Sequence, residues 1–250
     1  MKLNDIQTYY KEGLLRKNFK DTKSLKSLKN SLINLHLSDS PGKENFFWES
    51  KYKNTLDLRP NAFEFDLSAI DILFDNDIPD LLSKIVGEDI TLSHIQIRKS
   101  SAGPGYMPWH RDMYFIDDRI VGACPPAHKI IFYPKIPEST DEPKLSLLKG
   151  SHNCLFQKQR SSEFLLPGCS VYDREIFHLF HVENYSPSEN EFIIFNTSML
   201  HNTLPTTDPV GSIRIIYSFV KKFQFENMFS HKEGHTMLNE LYEKGKSQKQ

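Results

Sequence analysis

Residues 190–220 read NEFIIFNTSMLHNTLPTTDPVGSIRIIYSFV. Two short runs within them, residues 191–197 and 214–220, are rich in β-branched and aromatic residues, and a segment containing Pro and Gly separates the two runs. This pattern predicts two β-strands joined by a turn. His201 then follows the first strand, and Arg214 opens the second.

Short runs of the same kind fill most of the chain after Gly87, with clusters of Pro, Gly, Ser and Asp between them. We predict further strands over residues 90–98, 129–136 and 144–148. Before Gly87 the spacing of apolar residues is helical, with leucines three and four positions apart in residues 1–36 and a second pattern, broken near Pro79, in residues 66–86. The predicted fold is therefore mainly β with flanking helices, a sandwich or barrel supported on one face.

The length of 250 residues and the 38% hydrophobic content fit one domain, residues 1–250. Within it we predict a mostly helical support over 1–87, a β core over 88–225, and a C-terminal helix with a polar tail over 226–250. The aromatic-rich loop over 161–191 is long for a compact domain. Such loops are typically functional, so we predict a lid.

Composition narrows the class of partner. Lys plus Arg total 31 against 32 for Asp plus Glu, so the net charge of -1 favours a small-molecule substrate over nucleic acid. No apolar run is long enough for a membrane span, and the 3 cysteines are too few for a disulfide framework. We therefore expect a cytoplasmic protein without a membrane partner; the sequence does not indicate its oligomeric state.

Trp109-His110-Arg111-Asp112 places an imidazole and a carboxylate two residues apart. On an extended chain both side chains point to the same face, so one metal ion can bind both. With His201 they form two histidines and one carboxylate, the set that leaves coordination positions open on Fe(II). Taken alone, His110 is equally explained as an ordinary hydrogen-bonded histidine.

Arg214 opens the apolar strand RIIYSFV. A guanidinium in such a strand needs a partner, and a carboxylate that it can bind in bidentate fashion is the natural one. That carboxylate belongs either to a bound cosubstrate or to an acidic residue in a structural ion pair.

Three stretches resemble the phytanoyl-CoA dioxygenase family of oxygenases: RKSSAGPGYMPWHRDMYF, then AHKIIFYPKI followed by LSLLKGSH, then residues 190–220. The resemblance covers roughly residues 77–220. It implies a double-stranded β-helix core of jelly-roll, cupin-like type. It also implies Fe(II), 2-oxoglutarate and O2 as cofactors, with His110, Asp112 and His201 as metal ligands and Arg214 as the cosubstrate-binding residue. The implied reaction is hydroxylation with release of succinate and CO2.

The sequence departs from the family at residue 216, where Ile216 replaces a hydroxyl residue. Thr203, Tyr217 or Lys129 could then supply the second contact to the distal carboxylate of 2-oxoglutarate, and of these we favour Thr203. Gln96 is a weaker candidate for a cosubstrate contact. Candidate substrate contacts are Lys99, Trp109, Tyr114, His178 and His181.

The sequence does not identify the substrate, because one fold hosts many chemistries. We expect a small polar metabolite, such as an amino acid, a sugar-like compound or a natural-product intermediate. Two alternatives stay open: a non-catalytic, cupin-like metal-binding module, and a protein-modifying oxygenase with the same barrel.

Overall fold

The computed structural model describes most of the chain. The described residues are 3–20, 23–37, 47–49, 55–58, 67–86, 89–103, 109–112, 115–116, 119–120, 128–154, 177–228 and 233–248. Their helices are α1 Leu3–Glu12, α2 Lys23–Leu37, α3 Ser68–Asp75, α4 Ile78–Val86, α5 Lys222–Met228 and α6 Glu233–Gln248. Their strands are β1 Leu14–Asn18, β2 Phe47–Glu49, β3 Thr55–Leu58, β4 Ile90–Ser100, β5 Phe115–Ile116, β6 Arg119–Ile120, β7 His128–Phe132, β8 Leu145–Lys149, β9 His181–Tyr185, β10 Glu191–Asn196, β11 His201–Thr203 and β12 Ser212–Lys221.

Two antiparallel sheets form the core of the described chain. The large sheet has the order β1-β10-β7-β12-β4-β3-β2, and the small sheet has the order β11-β8-β9. From β7 to β12 the chain passes from the large sheet to β8 and β9 in the small sheet, returns in β10, crosses to β11 and returns in β12. This alternation is that of a jelly roll, or double-stranded β-helix, and it confirms the predicted fold class.

The large sheet is apolar on both faces because each face packs against a different layer. Ile95 and Ile97 of β4 lie in one core cluster with Leu28 of α2, so this face packs against the helices. Ile131 of β7 lies in a second cluster with Leu147 of the small sheet. The alternation of side chains along each strand therefore separates a helix-facing core from an interior between the two sheets.

The helical layer follows the predicted apolar spacing. Leu25, Leu28 and Leu32 of α2 are fully or almost fully buried. At the other end of the chain, Leu238 and Tyr242 of α6 are also buried, and α6 packs against β4 and α3. The C-terminal segment thus contains a core-packed helix that reaches Gln248, and its last two described residues, Ser247 and Gln248, are exposed.

Near the N-terminus the structure differs from the prediction. Residues 1–36 were expected to be helical, but Gly13, with a φ of 76°, ends α1, and β1 pairs with β10 in the large sheet. The helical break expected near Pro79 lies at Asp77, which has a φ of 52°. Pro79 then sits in the first turn of α4, where its missing N–H has no intrahelical partner to lose.

The predicted lid loop is partly a strand. Residues 161–176 lie outside the described part of the chain, whereas β9 pairs with β8 and Phe177–Leu179 form a short 3-10 helix. Among the described residues, none of the helices has the length and apolarity to span a membrane. A cytoplasmic location stays a prediction.

Candidate metal centre

A pair of backbone hydrogen bonds brings His110 and His201 together. The N–H of His110 donates to the carbonyl of His201 at 2.9 Å, and the N–H of His201 donates to the carbonyl of His110 at 3.0 Å. The two imidazole ring centroids lie 4.3 Å apart. Asp112 is held beside them, since its N–H donates to the carbonyl of Thr197 at 3.1 Å. His110 and His201 therefore form an isolated antiparallel β-bridge.

The three side chains present their donor atoms to one point. His110 Nε2 lies 3.7 Å from Asp112 Oδ1, and His201 Nε2 lies 3.5 Å from Asp112 Oδ2. All three donor atoms lie within 4.8 Å of one another. His201 Nδ1 lies 2.8 Å from the carbonyl of Met199. Because a carbonyl only accepts, Nδ1 carries the proton, and the lone pair of Nε2 points at the shared space.

The protonation states suit a metal ion. Burial would raise the pKa of Asp112, but the Lys129 ammonium and His201 outweigh this effect and hold the pKa well below its usual range. Burial and the nearby His110 lower the pKa of His201, against the opposing effect of Asp112. At neutral pH the site therefore holds a carboxylate anion and a neutral imidazole, the forms that bind divalent metals.

Lys129 contacts the metal-site carboxylate directly. Its Nζ lies 2.7 Å from Asp112 Oδ2, and the exposed fractions of the two side chains are 10% and 20%. Lys129 was predicted to bind the cosubstrate, but in the structure its ammonium is an ion-pair partner of Asp112. Its position at the metal end of the barrel separates it from Arg214.

Arg111, between the two ligands of the His-x-Asp motif, ties the ligand loops together. Its Nη1 donates to the carbonyl of Ser151 at 2.9 Å and to the carbonyl of Ser198. The Ser151 hydroxyl in turn accepts the N–H of Leu200 at 2.9 Å, one residue before His201. The turn Gly150-Ser151-His152 therefore supports the site through Ser151 without contributing a ligand.

Arg214 lies on the interior face of β12 and is only 2% exposed. Its Nη1 donates to the Ser100 hydroxyl at 3.2 Å, and the β4–β12 register places Arg98 directly opposite. Gly211 sets this register, because its φ of 73° and a Cβ that would lie 2.1 Å from the Ser100 carbonyl exclude other residues.

The interior thus has a metal end and an arginine end. Lys129 pairs in register with Ser218, four residues beyond Arg214 on the same strand face. Four residues of extended strand span about 13 Å. One carboxylate cannot reach both cations, so Lys129 is not placed to share the carboxylate that Arg214 would bind.

Of the other candidate cosubstrate contacts, two lie on the interior face of the sheets and one lies on the helix-facing side. Gln96 is buried on the interior face, opposite Ile216 and between the two ends. Thr203 shares the interior face with His201, since they pair with the interior leucines Leu145 and Leu147. Tyr217 lies in the helix-facing core, away from Arg214.

The candidate substrate contacts divide in the same way. Lys99 is directed away from the site, because it lies on the opposite face of β4 from Gln96 and donates to the carbonyl of Leu35 in α2 at 3.4 Å. Trp109 packs edge-on against Phe177, with ring centroids 4.8 Å apart. This contact joins the metal-ligand loop to the predicted lid. His178 and His181 are exposed, and Tyr114 lies outside the described residues.

Comparison with known proteins identifies the fold. No family model matches the sequence, and no curated protein matches it either. Solved structures do match. The epimerase SnoN, in complex with Fe3+, alpha ketoglutarate and nogalamycin RO, superposes with a TM-score of 0.65 at 12% identity, covering 87% of this chain and 82% of SnoN. The chain shares the fold of SnoN.

Two further structures have the same fold. HygX from Streptomyces hygroscopicus, with nickel, 2-oxoglutarate and hygromycin B bound, gives a TM-score of 0.61 at 12% identity, covering 89% of this chain and 88% of HygX. EctD from S. alaskensis, with 2-oxoglutarate and 5-hydroxyectoine, gives a TM-score of 0.63 at 12% identity, covering 91% of this chain and 77% of EctD.

Three residues at the site were not predicted from the sequence. Arg98 could have been found, because it lies two residues after Gln96 on a predicted strand and therefore on the same face. Arg111 could not, since its acceptors are backbone carbonyls of distant loops. Tyr133 follows β7 on its interior face, in the core cluster of Ile131, and its place beside Arg214 depends on which strands are neighbours.

Proposed function

We propose that the chain is an Fe(II)- and 2-oxoglutarate-dependent dioxygenase that hydroxylates a small polar metabolite. One observation carries the proposal. Two imidazoles and one carboxylate converge within 4.8 Å at one end of a jelly roll whose other end holds a buried arginine.

The donor set fits iron. Among the described residues, the group able to hold a metal contains three ligands, His110, Asp112 and His201. Structural zinc sites usually require a fourth protein ligand, whereas a facial triad leaves positions open for a chelating oxo acid and for O2. Bound iron would supply the oxidation chemistry, with 2-oxoglutarate decarboxylated to succinate and CO2.

The protein's own contribution is geometry and charge. His201 is held in one tautomer by the Met199 carbonyl, and Asp112 is kept ionised by Lys129. Arg214 would bind the distal carboxylate of 2-oxoglutarate through a bidentate, charge-assisted pair. These fixed groups would orient the cosubstrate with its oxo-acid end toward the three ligands.

Small-molecule ligands in the structural neighbours support the proposed substrate class. SnoN and HygX were solved with nogalamycin RO and hygromycin B, and EctD with 5-hydroxyectoine. We extend the proposal to the part of the predicted lid that precedes β9, because Phe177 there packs against Trp109, next to a proposed metal ligand. Closure of this segment would exclude water from the site.

The reaction outcome is open to direct test, since SnoN is an epimerase. Purified protein loaded with Fe(II), ascorbate and 2-oxoglutarate should be screened against polar metabolites for substrate-stimulated succinate release. Product mass then separates hydroxylation, which adds one oxygen atom, from epimerisation, which leaves the mass unchanged. Peptides in the same screen test the protein-modifying alternative.

Binding measurements test the non-catalytic alternative. Under anaerobic conditions, Fe(II) and 2-oxoglutarate together should produce a visible charge-transfer absorption that neither produces alone. A protein that binds Fe(II) but gives no such absorption and no succinate with any substrate would instead be a metal-binding module.

A further inference from the structure

Arg214 alone leaves the distal carboxylate of a bound 2-oxoglutarate incompletely paired. A carboxylate offers about four lone-pair sites, and a bidentate guanidinium occupies two of them. Ile216, two residues beyond Arg214 on the same face, offers no hydrogen bond. A donor from a neighbouring strand would complete the pairing.

Tyr133 provides a hydroxyl at the right place. The β7–β12 register pairs Phe132 with Ile215, and continuing it by one residue brings Tyr133 opposite Arg214. Tyr133 belongs to the interior core cluster and is 4% exposed. Its ring therefore lies inside the barrel, on the face that carries Arg214.

Among the described residues, the buried Tyr133 hydroxyl has no hydrogen-bond partner. A buried hydroxyl that makes no hydrogen bond lowers stability, so such groups are rare in folded proteins. A ligand that accepts from this hydroxyl would remove the penalty. The orphaned donor, next to a buried guanidinium, thus indicates an anionic ligand.

We propose that the Tyr133 hydroxyl is the second contact to the distal carboxylate of 2-oxoglutarate, filling the role that Ile216 cannot. The proposal rests on the proposed function and adds to it a residue that determines cosubstrate specificity. Tyr133 would donate one hydrogen bond to the carboxylate oxygen that Arg214 leaves underpaired. This contact would favour 2-oxoglutarate over shorter oxo acids that lack a distal carboxylate.

The other candidates are less well placed for this role. Lys129 pairs with Asp112 at the metal end, and Tyr217 lies on the opposite face of the sheet. Thr203 is on the interior face but in the small sheet, beside the metal ligand His201. Burial raises the pKa of Tyr133, and the Arg214 and Arg98 guanidiniums oppose the rise only in part. The phenol therefore stays protonated at neutral pH, as a donor must.

The test compares Tyr133→Phe with the wild-type protein. Affinities of the Fe(II)-loaded protein for 2-oxoglutarate and for 2-oxobutyrate, which has the same chelating group but no distal carboxylate, are measured anaerobically. We expect 2-oxoglutarate to bind about tenfold more weakly to the variant, because one hydrogen bond to a charged group is lost. The affinities for 2-oxobutyrate and Fe(II) should not change.

Tyr242→Phe is the matched control. Tyr242 is also fully buried, and its hydroxyl has no hydrogen-bond partner in the described part of the chain, but it lies on α6 in the helix-facing core. Neither variant should be less stable than the wild type, since each loses an unsatisfied group. Only Tyr133→Phe should change the affinity for 2-oxoglutarate.

The possible failures are distinguishable. Suppose that the wild type prefers 2-oxoglutarate to 2-oxobutyrate and that Arg214→Ala removes this preference. If Tyr133→Phe then leaves the size of the preference unchanged, the proposal for Tyr133 is wrong and the proposed function stands. Equal weakening of both oxo acids by Tyr133→Phe would also overturn it, by placing the effect at the metal end. A wild type without preference for 2-oxoglutarate would overturn the proposed function itself.

Discussion

The ammonium of Lys129 lies 2.7 Å from Oδ2 of Asp112, the oxygen that also faces His201 Nε2 at 3.5 Å. Lys129 therefore neutralises the carboxylate when no metal is bound. A divalent cation held by Asp112 would share that carboxylate with the ammonium. Lys129 thus stabilises the metal-free protein by keeping Asp112 ionised, and its charge would repel a divalent cation bound to the same carboxylate.

Lys129→Met should separate these two effects. We expect the free energy of unfolding of the metal-free protein to fall by about 2 kcal/mol, because a carboxylate loses its ionic partner. Affinity for Mn(II) should rise by about tenfold, because the repulsion is removed. Calorimetric titration and urea unfolding measure the two quantities. The control Lys135→Met removes an exposed lysine and should change neither. Weaker Mn(II) binding in Lys129→Met would contradict this prediction and show that Lys129 increases the affinity for the metal.

Asp112→Ala should abolish substrate oxidation and weaken metal binding by about a hundredfold or more, because one of three protein ligands is lost. The metal content of the purified variant and its Mn(II) affinity test this expectation. Asp141→Ala, which removes an exposed carboxylate paired with Lys135, serves as the control. Normal turnover in Asp112→Ala would exclude the assigned ligand set.

Arg214→Ala should raise the concentration of 2-oxoglutarate required for half-maximal binding by about a hundredfold, since two charge-assisted hydrogen bonds are lost. Fe(II) affinity should be largely retained, because the three ligands lie at the other end of the barrel. Arg16→Ala removes an arginine that pairs with Glu191 on the sheet edge, and it should leave 2-oxoglutarate binding unchanged. If Arg214→Ala also binds 2-oxoglutarate normally, the distal carboxylate lies elsewhere.

Local sequence patterns predicted five of the twelve described strands, β4, β7, β8, β10 and β12, because these buried strands carry apolar runs. The predicted strand over residues 191–197 corresponds to β10, and the one over 214–220 lies within β12. β1 was missed because LLRKN carries two charged residues and adjoins a helical pattern. Its strand state depends on pairing with β10, a contact with residues far away in sequence.

At the site, too, some features follow from the local sequence and others depend on contacts between residues far apart in sequence. His110, Asp112 and His201 stand out by residue type, and the structure brings them together. Lys99 and Tyr217 were plausible by position in sequence, but the period of two along a strand directs them to the helix-facing side. Applying that period from Arg214 would have excluded Tyr217, whereas placing Tyr133 beside Arg214 requires knowledge of the strand order.

Arg111→Met should weaken Mn(II) binding by about tenfold, because Arg111 joins the His-x-Asp loop to the carbonyls of Ser151 and Ser198. Unfolding free energy should fall by about 2 kcal/mol as two buried acceptors lose their donor. The visible spectrum of the Co(II)-loaded protein, which reports coordination geometry, should also change. Arg111→Lys, which keeps a cationic donor, should restore part of the Mn(II) affinity, of the unfolding free energy and of the wild-type Co(II) spectrum. An unchanged Co(II) spectrum in Arg111→Met would limit its role to stability.

His128 should make stability depend on pH in a defined window. Its imidazole is buried and bonded through Nδ1 to the Tyr9 hydroxyl at 2.5 Å. Burial, followed by the nearby charges of Lys221 and His152, lowers the pKa of His128 from 6.5 to about 4. The unfolded chain therefore takes up a proton near pH 6.5, whereas the folded chain takes it up only near pH 4.

Because the unfolded state binds more protons in this window, the free energy of unfolding should decrease as pH falls from 6.5 to about 4, by about 3 kcal/mol in total. Urea unfolding of the metal-free protein across this range measures the slope. His128→Asn keeps a polar atom near Tyr9 but does not titrate, so its slope should be smaller by the contribution of one group. Glu142 titrates in a different range. Its pKa is lowered from 4.5 to about 2, so its contribution to stability is lost only as pH falls below 4.5. Identical slopes for His128→Asn and the wild type would show that His128 is not the titrating group.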